Sequence, residues 1–203
     1  MTVEGFDVDG FVIRQLWRPV VNVYEVFRPG SDPSTPGQLV AFVRQRRMKI
    51  KEEIHVFRDQ NEDEELFRIK ARSALDMGGA TYDVFEPGGA AIGALAHHFK
   101  ASLLRTTWAV LDSGGTEVLR ATEANQFLAL LRRIKDFIPY ADWFPIPYNF
   151  LLLSPDGREL GHYRRILQLR DQYVLELPGD PGRTVDRRLA VALAIGLDTL
   201  QNR

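Results

Sequence analysis

Residues 186–200, DRRLAVALAIGLDTL, restrict the possible folds more than any other stretch of the chain. From Leu189 to Leu197 nine successive residues carry no charge, and their Ala and Leu content favours a helix that is apolar on every side. Such a helix has to be surrounded by protein or by lipid. Length excludes the bilayer, because a span needs roughly 20 apolar residues and Arg187, Arg188 and Asp198 bracket this run closely. A buried core helix is therefore expected, with Ala190, Ala192, Ala194 and Gly196 small enough to let surrounding backbone approach.

The rest of the chain is written mostly in strands. From Phe11 to Phe27 apolar and polar residues alternate, and the run reads as a strand with Val21 and Val23 on one face and Tyr24 and Val26 on the other. Arg28 to Gly37, RPGSDPSTPG, is the clearest loop. LVAFVRQ, EIHVFRD and ELFRIKA follow as short strands, separated by RRMKIK and the acidic turn QNEDEE, and sequential antiparallel pairing is expected. A repeat comes next. YDVFEPGGAAIG from Tyr82, WAVLDSGGTEVL from Trp108 and FLLLSPDGRELG from Phe150 align without a gap, each placing a glycine (Gly89, Gly115, Gly157) where a tight hairpin needs positive φ. GHYRRILQLR and QYVLEL are the last β segments, after which LPGDPGRTVD turns and offers Thr184 or Asp186 as a helix cap.

Two stretches break the β rhythm. Glu123 to Ile138 repeats Phe127, Leu128, Leu131 and Ile134 at helical spacing, which predicts an amphipathic helix packed outside the sheet. IPYADWFPIPY, Ile138 to Tyr148, strings prolines among aromatic residues and is expected to be irregular and to close one end of the core. A strand-rich chain with a wholly apolar terminal helix has one economical solution: a mainly β single domain over residues 1–203 whose antiparallel sheet wraps that helix.

Charge and composition narrow the function. With 26 basic and 27 acidic residues the net charge is -1, so no overall basic field draws in nucleic acid. There is no cysteine, which removes disulfides, thiolate catalysis and zinc-thiolate sites. The start, MTVEGFDVDGF, has neither a basic n-region nor a long apolar h-region, so a cytoplasmic, soluble, monomeric or weakly associating protein is expected, with no cofactor. GGAAIG from Gly88 lies between strands and lacks the helix of a dinucleotide loop. His97 and His98 are adjacent, so on a strand their rings face opposite ways and cannot share a metal. Glu62, Asp63, Glu64 and Glu65 lack the spacing of a calcium loop and read as a soluble turn. Ser102 sits in no nucleophile elbow, and no enzyme residues can be nominated.

The combination of TYDVFEPGGAAIGAL, SLLRTTWAVLD, a second Gly-turn hairpin and the terminal DRRLAVALAIGLDTLQ resembles the bacterial relatives of the phospholipid scramblases and LURP-one-related proteins, within the tubby C-terminal-like superfamily. The resemblance runs from about Gln38 to the end and implies a barrel of about twelve strands closed around the C-terminal helix. It implies no single activity. Tubby domains bind phosphoinositides, eukaryotic scramblases are linked to calcium-dependent lipid movement, and plant relatives have roles in defence. Scramblases carry spaced acidic residues just before the terminal helix, where this chain has only Asp180 and Asp186, too few for calcium.

Two readings follow. The first is a non-catalytic binding module that contacts a protein or anionic lipid head groups, peripheral at the inner membrane face, through the basic run Arg44, Arg46, Arg47, Lys49 and Lys51. The plain alternative for that run is a solvated strand face. The second is a small-molecule or fatty-acyl carrier that uses the barrel interior, entered at a mouth near Trp143 and Phe144.

Overall fold

Period-two alternation gives each strand one apolar face, and closing the sheet turns all those faces onto a common interior. The computed structural model describes residues 3–17, 21–46, 53–72, 80–98, 107–124, 149–166 and 171–199. The strands are β1 (Gly10–Trp17), β2 (Val21–Pro29), β3 (Pro36–Arg46), β4 (Ile54–Phe57), β5 (Glu65–Ala71), β6 (Thr81–Phe85), β7 (Ala91–His98), β8 (Thr107–Asp112), β9 (Glu117–Glu123), β10 (Asn149–Leu153), β11 (Glu159–Ile166) and β12 (Asp171–Glu176). Each pairs antiparallel with its neighbours in sequence, and β12 pairs with β1, so the barrel has no open edge.

The alternating run from Phe11 to Phe27, read above as one strand, is two. β1 and β2 pair in register from Val12 with Phe27 to Trp17 with Asn22. The break falls between Trp17 and Val21, a stretch whose sequence includes Pro19, a residue with no N–H to give a ladder. The three aligned repeats are the hairpins β6–β7, β8–β9 and β10–β11, and Gly89, Gly115 and Gly157 hold φ of 88°, 81° and 88° in their turns. The loop after Arg28 is shorter than its composition suggests, because β2 runs on to Pro29 and β3 starts at Pro36. Of the amphipathic stretch, Glu123 closes β9 and Ala124 follows it; the remainder of that stretch, and Ile138 to Tyr148, lie outside the described residues.

The terminal run forms α1 (Arg187–Thr199), and all thirteen of its residues are buried. Asp186 is the cap: its carboxylate accepts the Arg188 N–H at 2.8 Å, and its carbonyl accepts those of Leu189 at 3.0 Å and Ala190 at 3.2 Å. Around α1 the wall contributes Phe11, Ile13, Val26, Phe67, Ile69, Val84, Leu95, Val110, Leu119, Leu152 and Leu175 to one apolar cluster. The helix approaches β7 and β8 most closely. There Gly93 faces it: a Cβ at this position would lie 2.9 Å from Leu189 Cδ1 and 2.1 Å from the Leu111 carbonyl oxygen. Gly93→Ala is accordingly expected to lower stability by about 1–3 kcal/mol through overpacking. Urea denaturation would show it, and an unchanged midpoint would mean that wall and helix are not in this contact.

Candidate functional site

Up-and-down connectivity sorts the barrel into two rims. At the rim where α1 enters, the Asp180 carboxylate, 2 % exposed, accepts the Thr184 N–H (2.9 Å), the Thr184 hydroxyl (2.7 Å), the Val185 N–H (3.0 Å) and Arg187 Nη1 (2.8 Å). Burial alone would raise this carboxyl, but those donors outweigh it and hold the group below the usual carboxylate range. Arg187, 4 % exposed, also donates to the carbonyls of Val8, Asp180 and Val185, and to Asp9. Asp186 pairs with Arg188, which reaches Glu86 on the β6–β7 turn. Both acidic residues of the segment before the helix are therefore engaged in holding α1.

At the rim where α1 ends, the inner face turns polar and aromatic. Tyr24 and Tyr173 donate to the two oxygens of the Asp198 carboxylate at 2.6 Å and 2.9 Å, and Gln15 donates to the Tyr24 hydroxyl at 3.2 Å. Tyr163 stacks on Tyr173 at 5.4 Å and donates to the Ala194 carbonyl at 3.4 Å. Burial pushes the Asp198 carboxyl up, and the two tyrosine hydroxyls offset part of that rise. Tyr173 and Tyr163 are raised as well, chiefly by burial. The arrangement anchors the last turn of α1 to β2 and β12. His97 faces inward and stacks on Trp108 at 4.6 Å, as the alternation of the His97–His98 pair requires for one of its members.

On the outer wall, charge gathers across β4, β5 and β6. Phe67 and Ile69 point inward, so Arg68 and Lys70 point out, as do Asp83 and Phe85 on either side of buried Val84. Lys70 Nζ meets Glu53 at 2.5 Å, Arg68 lies 3.5 Å from Glu53 and 3.4 Å from Glu65, and Arg72 Nε donates to Asp83 at 3.0 Å. The Lys70 ammonium is the main reason that the Glu53 carboxyl sits below its ordinary value, with burial opposing. The three basic side chains and Asp83 border a groove of about 410 Å³, completed by Ala71, Phe85 and Gly89.

Of the basic run, Arg44 lies exposed on the outer face of β3, 2.9 Å from Glu62 and with its guanidinium 5.5 Å from the Phe42 ring centre. Arg46 closes β3 and pairs with Val21. Arg47, Lys49 and Lys51, and Trp143 and Phe144 of the expected barrel mouth, lie outside the described residues. The acidic turn is tied down: Glu62, at φ 63°, binds Arg44, and Glu64 binds Arg58. The β5–β6 groove was within reach of the sequence, since ELFRIKAR spaces Arg68, Lys70 and Arg72 two apart, but only the fold sets Asp83 and Phe85 beside them. Among the described residues no cluster of three or more His, Asp or Glu side chains could hold a metal ion, and no helix is long and apolar enough to cross a membrane.

A closed antiparallel barrel cored by its own C-terminal helix defines the class of protein. Within that class the LURP-one-related family model matches residues 39–198, and the chain belongs to that family. No curated protein and no solved structure matches it significantly.

Proposed function

We propose that this LURP-one-related barrel is a non-catalytic binding module that engages anionic lipid head groups with its outer wall. The observation that carries the reading is the placement of α1: thirteen buried residues occupy the space that a fatty-acyl carrier would need for its cargo, which leaves the outer wall for recognition. The exposed guanidinium of Arg44, at the start of the basic run, supports a head group rather than an apolar partner on this side. A basic residue near an anionic leaflet contributes about 1 kcal/mol. Changing Arg44, Arg46 and Arg47 together to Gln is therefore expected to weaken sedimentation with phosphatidylserine vesicles by about 2–3 kcal/mol. Glu62, 2.9 Å from Arg44, reduces the share that Arg44 contributes. Unchanged sedimentation of the triple variant would assign the run to plain solvation.

A further inference from the structure

We infer that the groove between β5 and β6 is a binding site for a phosphate monoester. Its lining brings together three cations, Arg68, Lys70 and Arg72, with the carboxylate of Asp83, while the carboxylates of Glu53 and Glu65 pair with Arg68 and Lys70 from outside the lining. Period-two spacing on one strand puts Arg68 and Lys70 on the same face, and Arg72 joins them in the lining. The acids around them leave these cations directed rather than quenched. Glu53 and Glu65 hold Arg68, Glu53 holds Lys70 and Asp83 holds Arg72, while the Lys70 and Arg72 side chains keep 57 % and 54 % of their surface open to solvent. Cations already fixed by partners lose little further freedom when an anion arrives. A guanidinium can also share two N–H groups with one phosphate while keeping its carboxylate.

Shape agrees with charge. At about 410 Å³ the groove has the size of a small-ligand site. Phe85 and Ala71 give it apolar walls for the part of the ligand that carries the phosphate. Gly89, held at positive φ in the β6–β7 turn, borders the groove on the Arg68 side. Strand direction places the site as well. The groove runs along the wall from Gly89, at the rim where α1 enters, to Arg72, which follows β5 at the rim where α1 ends, and β3 ends at that second rim with only β4 between it and β5. A phosphate on a membrane surface could meet both, so this site deepens the head-group reading and rests on it for that source alone.

The shared chemistry is a terminal phosphate, and its source can be free or lipid-borne. Glycerol 3-phosphate is the soluble probe, titrated by calorimetry, and phosphatidylcholine vesicles with and without phosphatidic acid are the membrane probe. The full chain is expected to bind glycerol 3-phosphate in preference to glycerol. Lys70→Gln, at an exposed position and checked by its melting curve, is expected to weaken it about tenfold. The Arg68→Gln, Lys70→Gln, Arg72→Gln triple variant, checked by its melting curve, should lose it altogether. Arg44→Gln should leave the soluble titration unchanged. Loss of glycerol 3-phosphate binding in the groove variants establishes the site, and parallel loss on phosphatidic acid vesicles identifies lipid as its source. Vesicle binding that survives the groove substitutions but falls with Arg44, Arg46 and Arg47 overturns the groove and leaves the head-group reading standing. Failure of the unaltered chain to bind either probe overturns both.

Discussion

Ala194→Asp is expected to leave the chain without a cooperative thermal transition. Ala194 is 1 % exposed, and its neighbours Leu193, Ile195 and Leu197 are equally buried although they point in different directions. No side of α1 faces water, so a carboxylate at any of these positions has nowhere to turn. Burying it without partners costs several kcal/mol, against a total stability of about 5–15 kcal/mol. Asp198 shows what the helix demands of an acid: both of its oxygens are met by tyrosine hydroxyls, and its carboxyl is still pushed upward by burial. Leu193→Ala removes apolar contact and opens a cavity, for about 2–5 kcal/mol. A chain ending at Val185 is expected to be insoluble or unfolded. Circular dichroism melts of these variants decide the matter. A truncated chain that melts cooperatively, or an aspartate tolerated at Leu193, Ala194, Ile195 or Leu197, would place α1 outside the core.

The helix could be placed from sequence because its information is local. Nine uncharged residues exclude an exposed face whatever surrounds them. The glycine-turn hairpins were readable for the same reason, since a tight turn and its two strands lie within eighteen residues. The β1–β2 boundary was not, because alternation continues on both sides of Pro19 and the period alone does not reveal a change of direction. Rim chemistry was still further from reach. Tyr24 and Asp198 are 174 residues apart, and only closure of the barrel makes them partners. The β5–β6 groove lies between these cases: its cations are spaced visibly along β5 and the residue after it, whereas their orientation depends on Glu53, just ahead of β4, and on Asp83 in β6. The LURP-one-related match covers the barrel from β3 into the last turn of α1.

Asp180→Ala is expected to cost about 3–5 kcal/mol, the range for breaking a buried ion pair by removing one partner. Arg187 would keep its guanidinium buried at 4 % exposure with its principal counter-ion gone, and the Thr184 and Val185 N–H groups would lose their acceptor. The loss reaches beyond the loop, because the same guanidinium ties α1 to Val8 and Asp9 ahead of β1. Replacing both partners, Asp180→Ala with Arg187→Met, should recover part of the stability, since no uncompensated charge then remains. The pH dependence has a definite sign. The folded Asp180 carboxyl lies below its ordinary value of 3.8, so its contribution is complete above about pH 4 and is lost as pH falls through the depressed folded value. Asp180→Ala should thus lose less stability than the unaltered chain between pH 4 and the acid transition. Urea midpoints of the three chains at pH 7 and in the acid range test each part. A double variant no more stable than Asp180→Ala would show that the charge left on Arg187 is not what destabilises the single substitution, and an unchanged acid slope would show that Asp180 is not held in its charged form.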